Sequence, residues 1–93
     1  MPRKEKVTQV IDGDTFKTNR RRHPVRLANV DAPEPGGRGG RRATRQLRSL
    51  IGGKDVTVNT QARDKYRRAV ARVQVEGRSV NRAMREKLGP KKR

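Results

Sequence analysis

Hydrophobic and polar residues alternate along several short stretches of this chain, and each stretch predicts a β-strand. Val7 to Ile11 is rich in β-branched residues, and the turn-forming Asp12-Gly13-Asp14 separates it from a second short strand, Thr15 to Thr18. A third strand is predicted from Pro24 to Val30, with Val25 and Leu27 on one face. The first half of the chain is therefore expected to form a three-stranded meander.

Apolar residues at helical spacing predict two helices. The first follows the Pro- and Gly-rich segment 31–37 and ends at Gly52-Gly53. Its apolar stripe consists of Ala43, Leu47, Leu50 and Ile51. The second is expected to begin after Ser79, a residue type that favours the N-cap, and to close at Gly89 and Pro90. Its stripe consists of Val80, Met84 and Leu88.

Two further strands, Lys54 to Thr60 and Arg68 to Val75, lie between the helices, and a turn at Glu76-Gly77 ends them. The predicted fold is therefore a β-barrel with helices, of the α+β class. It would be a five-stranded Greek-key barrel of the OB type, with one helix between strands 3 and 4 and one C-terminal helix. Residues 1–93 are expected to form a single domain, with basic tails at 1–6 and 89–93.

The charge of the chain indicates what kind of partner it binds. The chain has 26 Lys and Arg residues against 9 Asp and Glu residues, which gives a formal net charge of +17. This excess predicts a polyanionic partner, DNA or RNA, ahead of a membrane, because the sequence contains no long apolar stretch. The N-terminus runs into a strand without an apolar signal region, so an intracellular protein is expected, with a monomer as the default state.

The few acidic residues are candidates for a metal site. If the second and third strands pair antiparallel, the start of one lies beside the end of the other, and Asp14 and Asp31 become neighbours. Cysteine is absent and His23 is the single histidine, so any metal must bind to oxygen, which favours calcium or magnesium. Asp12 has the simpler interpretation of a turn residue, since Asp-Gly is common hairpin chemistry.

Three blocks of sequence in the right order resemble the staphylococcal nuclease family. The first is Val10-Ile11-Asp12-Gly13-Asp14-Thr15, and the second runs from Val25-Arg26-Leu27 to Val30-Asp31-Ala32-Pro33-Glu34. The third block is Asp64-Lys65-Tyr66-Arg67-Arg68. Gly77 to Asn81 and the helix after them also resemble the segment that follows the last barrel strand in that family, so the resemblance covers nearly the whole chain.

The resemblance implies a calcium-dependent nuclease that hydrolyses phosphodiester bonds of DNA or RNA with little sequence preference. Asp14 and Asp31 would ligate one calcium ion, together with the backbone carbonyl of Ala32. Arg26 and Arg68 would hold the phosphate, and Glu34 would act on the attacking water. Lys65 and Tyr66 would contact a terminal phosphate and the nucleotide.

Two of these positions have competing interpretations. Tyr66 could equally pack against the barrel. Arg67 stands where the family usually has glycine, so it would either misplace Arg68 or add a second phosphate contact. Asp14 and Glu34 are both expected to lie in an open cleft, where an amide in place of the carboxylate would leave the stability of the metal-free fold unchanged or higher.

Two other classes of function also fit parts of the sequence. A non-catalytic OB-type module would keep the scaffold and bind nucleic acid without turnover. A small basic structural protein that coats nucleic acid would fit the composition alone. Either one would bind without metal and would release no nucleotides.

Overall fold

The computed structural model describes residues 4–33 and 36–88, which form six strands and two helices. The first meander consists of strands β1 (Lys4–Asp12), β2 (Thr15–Thr18) and β3 (Val25–Leu27), and helix α1 (Gly40–Ile51) follows it. The second half consists of strands β4 (Asp55–Arg63), β5 (Ala69–Val75) and β6 (Arg78–Ser79), and then helix α2 (Val80–Leu88).

The strands form one sheet in the order β3-β2-β1-β4-β5-β6, and an additional pairing between β3 and β5 closes it into a barrel. Every pairing is antiparallel except β3 with β5, which is parallel, with Arg26 opposite Val70. The predicted α+β barrel is confirmed, with α1 between the third and fourth strands and α2 at the end of the described chain. The closed ring gives each strand from β1 to β5 a neighbour on both sides over part of its length.

Several strand bounds differ from the prediction, including that of β4, which runs to Arg63 and not to Thr60. The described chain has a sixth strand, β6, because Glu76 and Gly77 both have positive φ values (51° and 78°), a conformation that folds a tight hairpin back onto β5. The predicted N-terminal tail 1–6 is wrong for Lys4 to Lys6, which lie in β1 and pair with β4. Strand β3 ends at Leu27, not at Val30, since Asn29 adopts the left-handed region (φ 60°) and turns the chain.

The barrel interior is filled by the alternating apolar residues of the strands. Phe16, the single phenylalanine, is fully buried, and so are Val25 and Leu27 of β3. Both helices add apolar residues to this core, through the predicted stripe of α1 and through Met84 of α2. Neither helix in the described part of the chain is long and apolar enough to cross a lipid bilayer.

Gly13 brings helix α1 and the segment after β3 against the turn between β1 and β2. A Cβ atom at position 13 would lie 2.6 Å from the Cβ of Ala43 and 2.7 Å from the Cβ of Ala32, both too close for any side chain. This approach places the loop that contains Asp31 directly beside Asp14. Glycine at this position is therefore a packing requirement of the site.

Candidate active site

Asp14 lies in the turn directly before β2, and the protein holds its carboxylate through two hydrogen bonds. Its Oδ1 accepts a hydrogen bond from the Thr15 hydroxyl (2.8 Å), and its Oδ2 accepts one from the backbone N–H of Ala32 (3.0 Å). The residue is only 6% exposed, so the expected open cleft is wrong for Asp14. Asp12 accepts a hydrogen bond from the Asp14 backbone N–H (2.9 Å), which confirms it as a turn residue.

Arg26 joins the two predicted metal ligands. The antiparallel register of β2 and β3 places Arg26 opposite Thr15, and Nη2 of Arg26 lies 3.5 Å from Oδ2 of Asp14 and 3.6 Å from Oδ1 of Asp31. A third contact, from Nη1 to the Leu27 carbonyl, measures 3.4 Å. All three are long for hydrogen bonds, so the guanidinium loses little when it moves to a better acceptor.

The turn after β3 carries Asp31 and Ala32 to this cluster. Ala28 donates its N–H to the Ala71 carbonyl (2.8 Å), Asn29 reverses the chain, and Val30 is buried in the core. The Asp31 side chain remains 60% exposed, in contrast to Asp14. The predicted approach of Asp14 and Asp31 is confirmed, with the Arg26 guanidinium bridging them.

Asn81 of helix α2 holds the turn after β3 in place through hydrogen bonds to the backbone. The residue is buried, and its side-chain amide donates to the carbonyls of Ala28 (2.9 Å) and Ala71 (3.0 Å) while its Oδ1 accepts from the N–H of Val73 (2.8 Å). One side chain of α2 therefore ties the end of β3 to β5. Ser79 accepts a hydrogen bond from the Arg82 N–H (3.2 Å), which confirms it as the N-cap of that helix.

Arg68 belongs to a second cluster, in the loop between β4 and β5. Asp64 organises this loop, since its carboxylate accepts hydrogen bonds from the backbone N–H groups of Tyr66 and Arg68 (both 2.9 Å) and from Nε of Arg68 (2.6 Å). Within the described residues, the Nη1 and Nη2 groups of Arg68 have no hydrogen bond to the protein. The planar end of this guanidinium is therefore free to bind a ligand.

Tyr66 lies on the surface of the same loop. It is 63% exposed, so the alternative that it packs in the barrel is wrong. The Nζ of Lys65 lies 5.2 Å from the ring centroid, and the Cζ of Arg68 lies 5.1 Å from it, which are cation–π distances. Arg67 has a φ of 66°, so this residue adopts the conformation that glycine would take without strain.

The parallel pairing of β3 and β5 sets the two clusters side by side. Ala69 donates its N–H to the Pro24 carbonyl (3.1 Å), and Arg26 pairs with Val70. Arg68 therefore precedes the strand neighbour of Arg26 by two residues, about 7 Å along the strand direction. The side chains of Arg26 and Arg68 are 26% and 27% exposed, so both reach the surface of the barrel.

Two acidic groups of the site have shifted pKa values. Burial, and after it the neighbouring Asp14 carboxylate, raises the pKa of Asp12 above its ordinary value. Burial also acts to raise the pKa of Asp64, but the hydrogen bonds from Arg68 and Tyr66 outweigh it, so the pKa of Asp64 is lowered. The turn between β1 and β2 thus carries negative charge that a nearby cation would stabilise. The charge of Asp64 is already balanced by Arg68.

Among residues 4–33 and 36–88, no three His, Cys, Asp or Glu side chains come together as a metal site. Asp14 has two acidic neighbours: Asp12, which already serves the turn, and Asp31, with which it shares the Arg26 guanidinium. Glu34, the predicted base, lies outside the described residues.

Three residues that support the site carry no predicted role. Thr15 orients the Asp14 carboxylate, Asp64 orients Arg68, and Asn81 positions the turn before Asp31. The sequence offers one indication for Asn81: it is a polar residue directly after Val80, where the apolar stripe of the second helix begins. Asp64 has another, since an Asp four residues before an Arg across a short loop favours an ion pair.

These features define a class: a small α+β barrel with two carboxylates and an arginine at the end of one strand pair, set in a strongly basic surface. The chain belongs to the family described as staphylococcal nuclease homologue, whose model matches residues 24–87. The resemblance seen in the sequence is therefore confirmed.

Curated relatives carry nuclease names. A protein of Escherichia coli O157:H7 named an uncharacterized endonuclease is 40% identical over 82 residues, which are 85% of this chain and 54% of that protein. A micrococcal nuclease of Shigella flexneri is 39% identical over 66 residues, 69% of this chain and 38% of that protein. An uncharacterized endonuclease of Haemophilus influenzae is 30% identical over 79 residues, 82% and 44% of the two chains. The chain thus spans about half the length, or less, of these relatives.

Proposed function

We propose that this protein is a divalent-metal-dependent nuclease that hydrolyses phosphodiester bonds of DNA or RNA. The observation that carries the proposal is the placement of the Arg26 guanidinium between the carboxylates of Asp14 and Asp31. Membership of the family and the nuclease names of the relatives support it. So does the net charge of +17, which suits a polyanionic substrate.

The donor set fits a hard cation. Asp14 and Asp31 would hold it through carboxylate oxygens, and the Ala32 carbonyl is the proposed third protein ligand, with calcium as the first choice of metal. The contacts of Arg26 with both carboxylates support this assignment, because they show a positive group attracted to that position. When bound, the cation would supply Lewis-acid stabilisation of the charge on the phosphate.

Arg26 and Arg68 are the proposed phosphate-binding residues. Their guanidinium groups offer paired N–H donors that match phosphate oxygens, and these donors would stabilise the charge that builds during attack at phosphorus. Arg68 is oriented for this task by Asp64, which uses Nε and leaves both terminal nitrogens to a ligand. Arg26 would exchange its long contacts with the carboxylates for shorter ones to the substrate.

Glu34 is the proposed general base, which would take a proton from the attacking water. Lys65 is proposed to contact a terminal phosphate, and Tyr66 to support a nucleotide with its exposed ring. The chain contains one tyrosine and one phenylalanine, and Phe16 is buried, so stacking on several bases is excluded in the described chain. Binding would therefore rest on the phosphates, with little preference for sequence.

The proposal is tested by incubating the purified protein with plasmid DNA and with RNA, in calcium and after dialysis against a strong chelator. We expect cleavage that requires the cation and that Arg26→Ala abolishes. The matched control is Arg85→Ala, an exposed arginine of α2 that removes the same charge. Tight binding without any cleavage would favour the non-catalytic module, and full activity in chelator would exclude the metal.

A further inference from the structure

A basic concavity, separate from the candidate active site, lies at the end of β2 and β3 that is opposite to Asp14. This pocket has a volume of about 390 Å³ and is lined by Glu5, Arg20, Arg21, Arg22, His23 and Arg63. Four of the six lining residues are arginines, and a single carboxylate faces them. We name it the arginine pocket.

The floor of the arginine pocket is an ion pair between the buried Glu5 and the half-buried Arg21. Arg21 donates Nε to Glu5 (2.8 Å and 3.1 Å to the two oxygens) and Nη2 to Oε2 (2.9 Å), and the Thr18 hydroxyl donates to Oε1 (2.8 Å). These contacts use the carboxylate of Glu5 and one edge of the Arg21 guanidinium. The ion pair therefore shapes the pocket, while its own charges are balanced.

The remaining positive charge of the pocket is not compensated by the protein. Arg20, Arg22 and Arg63 make no salt bridge with a carboxylate anywhere in residues 4–33 and 36–88. Arg20 and Arg22 are exposed, and Arg63 donates to the carbonyl of Arg67 (3.2 Å). Like charges collected at one concavity repel each other, and an anion bound among them relieves that repulsion.

The loop that Asp64 organises lies between the pocket and the candidate active site in the chain, and it contacts the pocket through Arg63. Arg63 touches this loop, and Arg68 at its other end lies level with Pro24, directly after His23. Arg26 lies three residues beyond His23, about 10 Å along β3. A nucleic-acid strand whose phosphates contact Arg26 and Arg68 could therefore extend to the arginine pocket.

We propose that the arginine pocket binds a backbone phosphate of a nucleic-acid strand, a different phosphate from the one held by Arg26. This inference rests on the proposed function for its substrate. It adds a second anchoring site, which short substrates cannot reach.

The test uses the double variant Arg20→Gln/Arg22→Gln and the control Arg78→Gln/Arg85→Gln, which removes the same charge at exposed residues outside the pocket. Affinities for a fluorescein-labelled thymidine dinucleotide and dodecanucleotide are measured by anisotropy in chelator, from about 50 to about 200 mM salt. For the pocket variant we expect roughly 10-fold weaker binding of the dodecanucleotide, with the slope of log affinity against log salt reduced by about 0.7–1.4. Binding of the dinucleotide is unchanged.

The imidazole resonances of His23 give a second measurement, because the chain has one histidine and it lines the pocket. Adding the dodecanucleotide shifts these resonances in the parent and not in the pocket variant. Inorganic phosphate at millimolar concentration distinguishes a small-anion site. If free phosphate shifts them and the dodecanucleotide does not, the proposal of a nucleic-acid anchor is overturned.

The affinity measurements test the anchoring site, and the cleavage assays test the proposed nuclease function. Equal affinities of the pocket and control variants for the dodecanucleotide overturn the anchoring site, whether or not the parent cleaves plasmid. A parent that cleaves neither DNA nor RNA, but shows the length-dependent loss in the pocket variant, keeps the anchoring site and overturns the nuclease.

Discussion

Nη2 of Arg26 lies almost equally far from Asp14 and Asp31, at 3.5 Å from Oδ2 of the first and 3.6 Å from Oδ1 of the second. Both carboxylates therefore share one guanidinium group. A divalent cation that binds between them competes with Arg26 for the same oxygens. The two carboxylates differ in burial, however, and this difference makes their substitutions distinguishable.

We expect Asp14→Asn to weaken both metal binding and the metal-free fold. The carboxylate accepts hydrogen bonds from Thr15 and Ala32 and is almost fully buried, so an amide nitrogen placed among these donors costs roughly 1–3 kcal/mol of unfolding free energy. Higher calcium should restore part of the rate. The control is Asp31→Asn, at an exposed carboxylate, which should weaken metal binding with little loss of stability. Equal losses in denaturant unfolding of the two variants would contradict the structural distinction.

Glu34→Gln should lose turnover while keeping metal and substrate. The amide cannot accept the proton of the attacking water, so we expect a rate lower by roughly 10²- to 10⁴-fold at saturating calcium. Single-turnover cleavage and calorimetric binding of a nucleotide, each measured against calcium concentration, check it. A variant as fast as the parent would show that another group is the base.

Arg67→Gly should stabilise the protein. A non-glycine residue at a φ of 66° costs roughly 1–2 kcal/mol, and glycine there loses about 0.5–1 kcal/mol through its freer unfolded chain. The net gain of about 0.5–1 kcal/mol should raise Tm by roughly 2–8 °C in calorimetry. Arg67→Ala serves as the control, because it removes the same charge and keeps the strain. If alanine stabilises as much as glycine, charge repulsion and not backbone strain is the cause.

Asn81→Ala should destabilise the fold and weaken the metal site together. The change leaves the buried N–H of Val73 and the carbonyl of Ala28 without their partner, at roughly 1–3 kcal/mol each. The turn that leads to Asp31 would also loosen, so the calcium concentration for half-maximal rate should rise. Arg82→Ala, the exposed neighbour, is the control for both measurements. Loss of stability with unaltered calcium dependence would limit Asn81 to a structural role.

Glu5→Gln should change the acid stability of the protein. Burial acts to raise the pKa of Glu5, but the hydrogen bonds from Arg21 and Thr18 outweigh it, so this pKa lies below its ordinary value of 4.5. A lowered pKa in the folded state contributes stability that is complete above the unfolded pKa and is lost as pH falls through the folded pKa.

Thermal unfolding of the parent and of Glu5→Gln from neutral pH down to about pH 3 measures this contribution. The parent should be more stable at neutral pH, by roughly 1–3 kcal/mol, and this advantage should shrink below about pH 4.5. Other acidic groups, including Asp64, titrate in both proteins and cancel in the difference. A difference that stays constant with pH would show that the ion pair contributes nothing through its charge.

Local pattern predicted the elements because alternation and helical spacing act over a few residues. The hairpin after Asp12, the apolar stripe of α1 and the N-cap at Ser79 all follow from such short-range preferences. The end of β3 could not be predicted in this way. Asn29 turns the chain out of the strand next to Ala28, whose carbonyl accepts a hydrogen bond from Asn81, 53 residues away in the chain. Position 67 was marked as unusual by sequence, and the backbone shows that it takes the conformation typical of glycine.

The sequence by itself determined the class of fold and the approach of Asp14 to Asp31, because the hydrophobic period and the order of the strands follow directly from the order of residues. Its net charge of +17 favoured a polyanionic partner. The tertiary structure decided which groups those residues meet. It buried Asp14 and left Asp31 exposed, placed Arg26 between them, exposed Tyr66 and gathered Arg20, Arg22 and Arg63 around the ion pair of Glu5 with Arg21. These contacts depend on the closure of the barrel, which joins β3 to β5 across more than 40 residues and which no local pattern encodes.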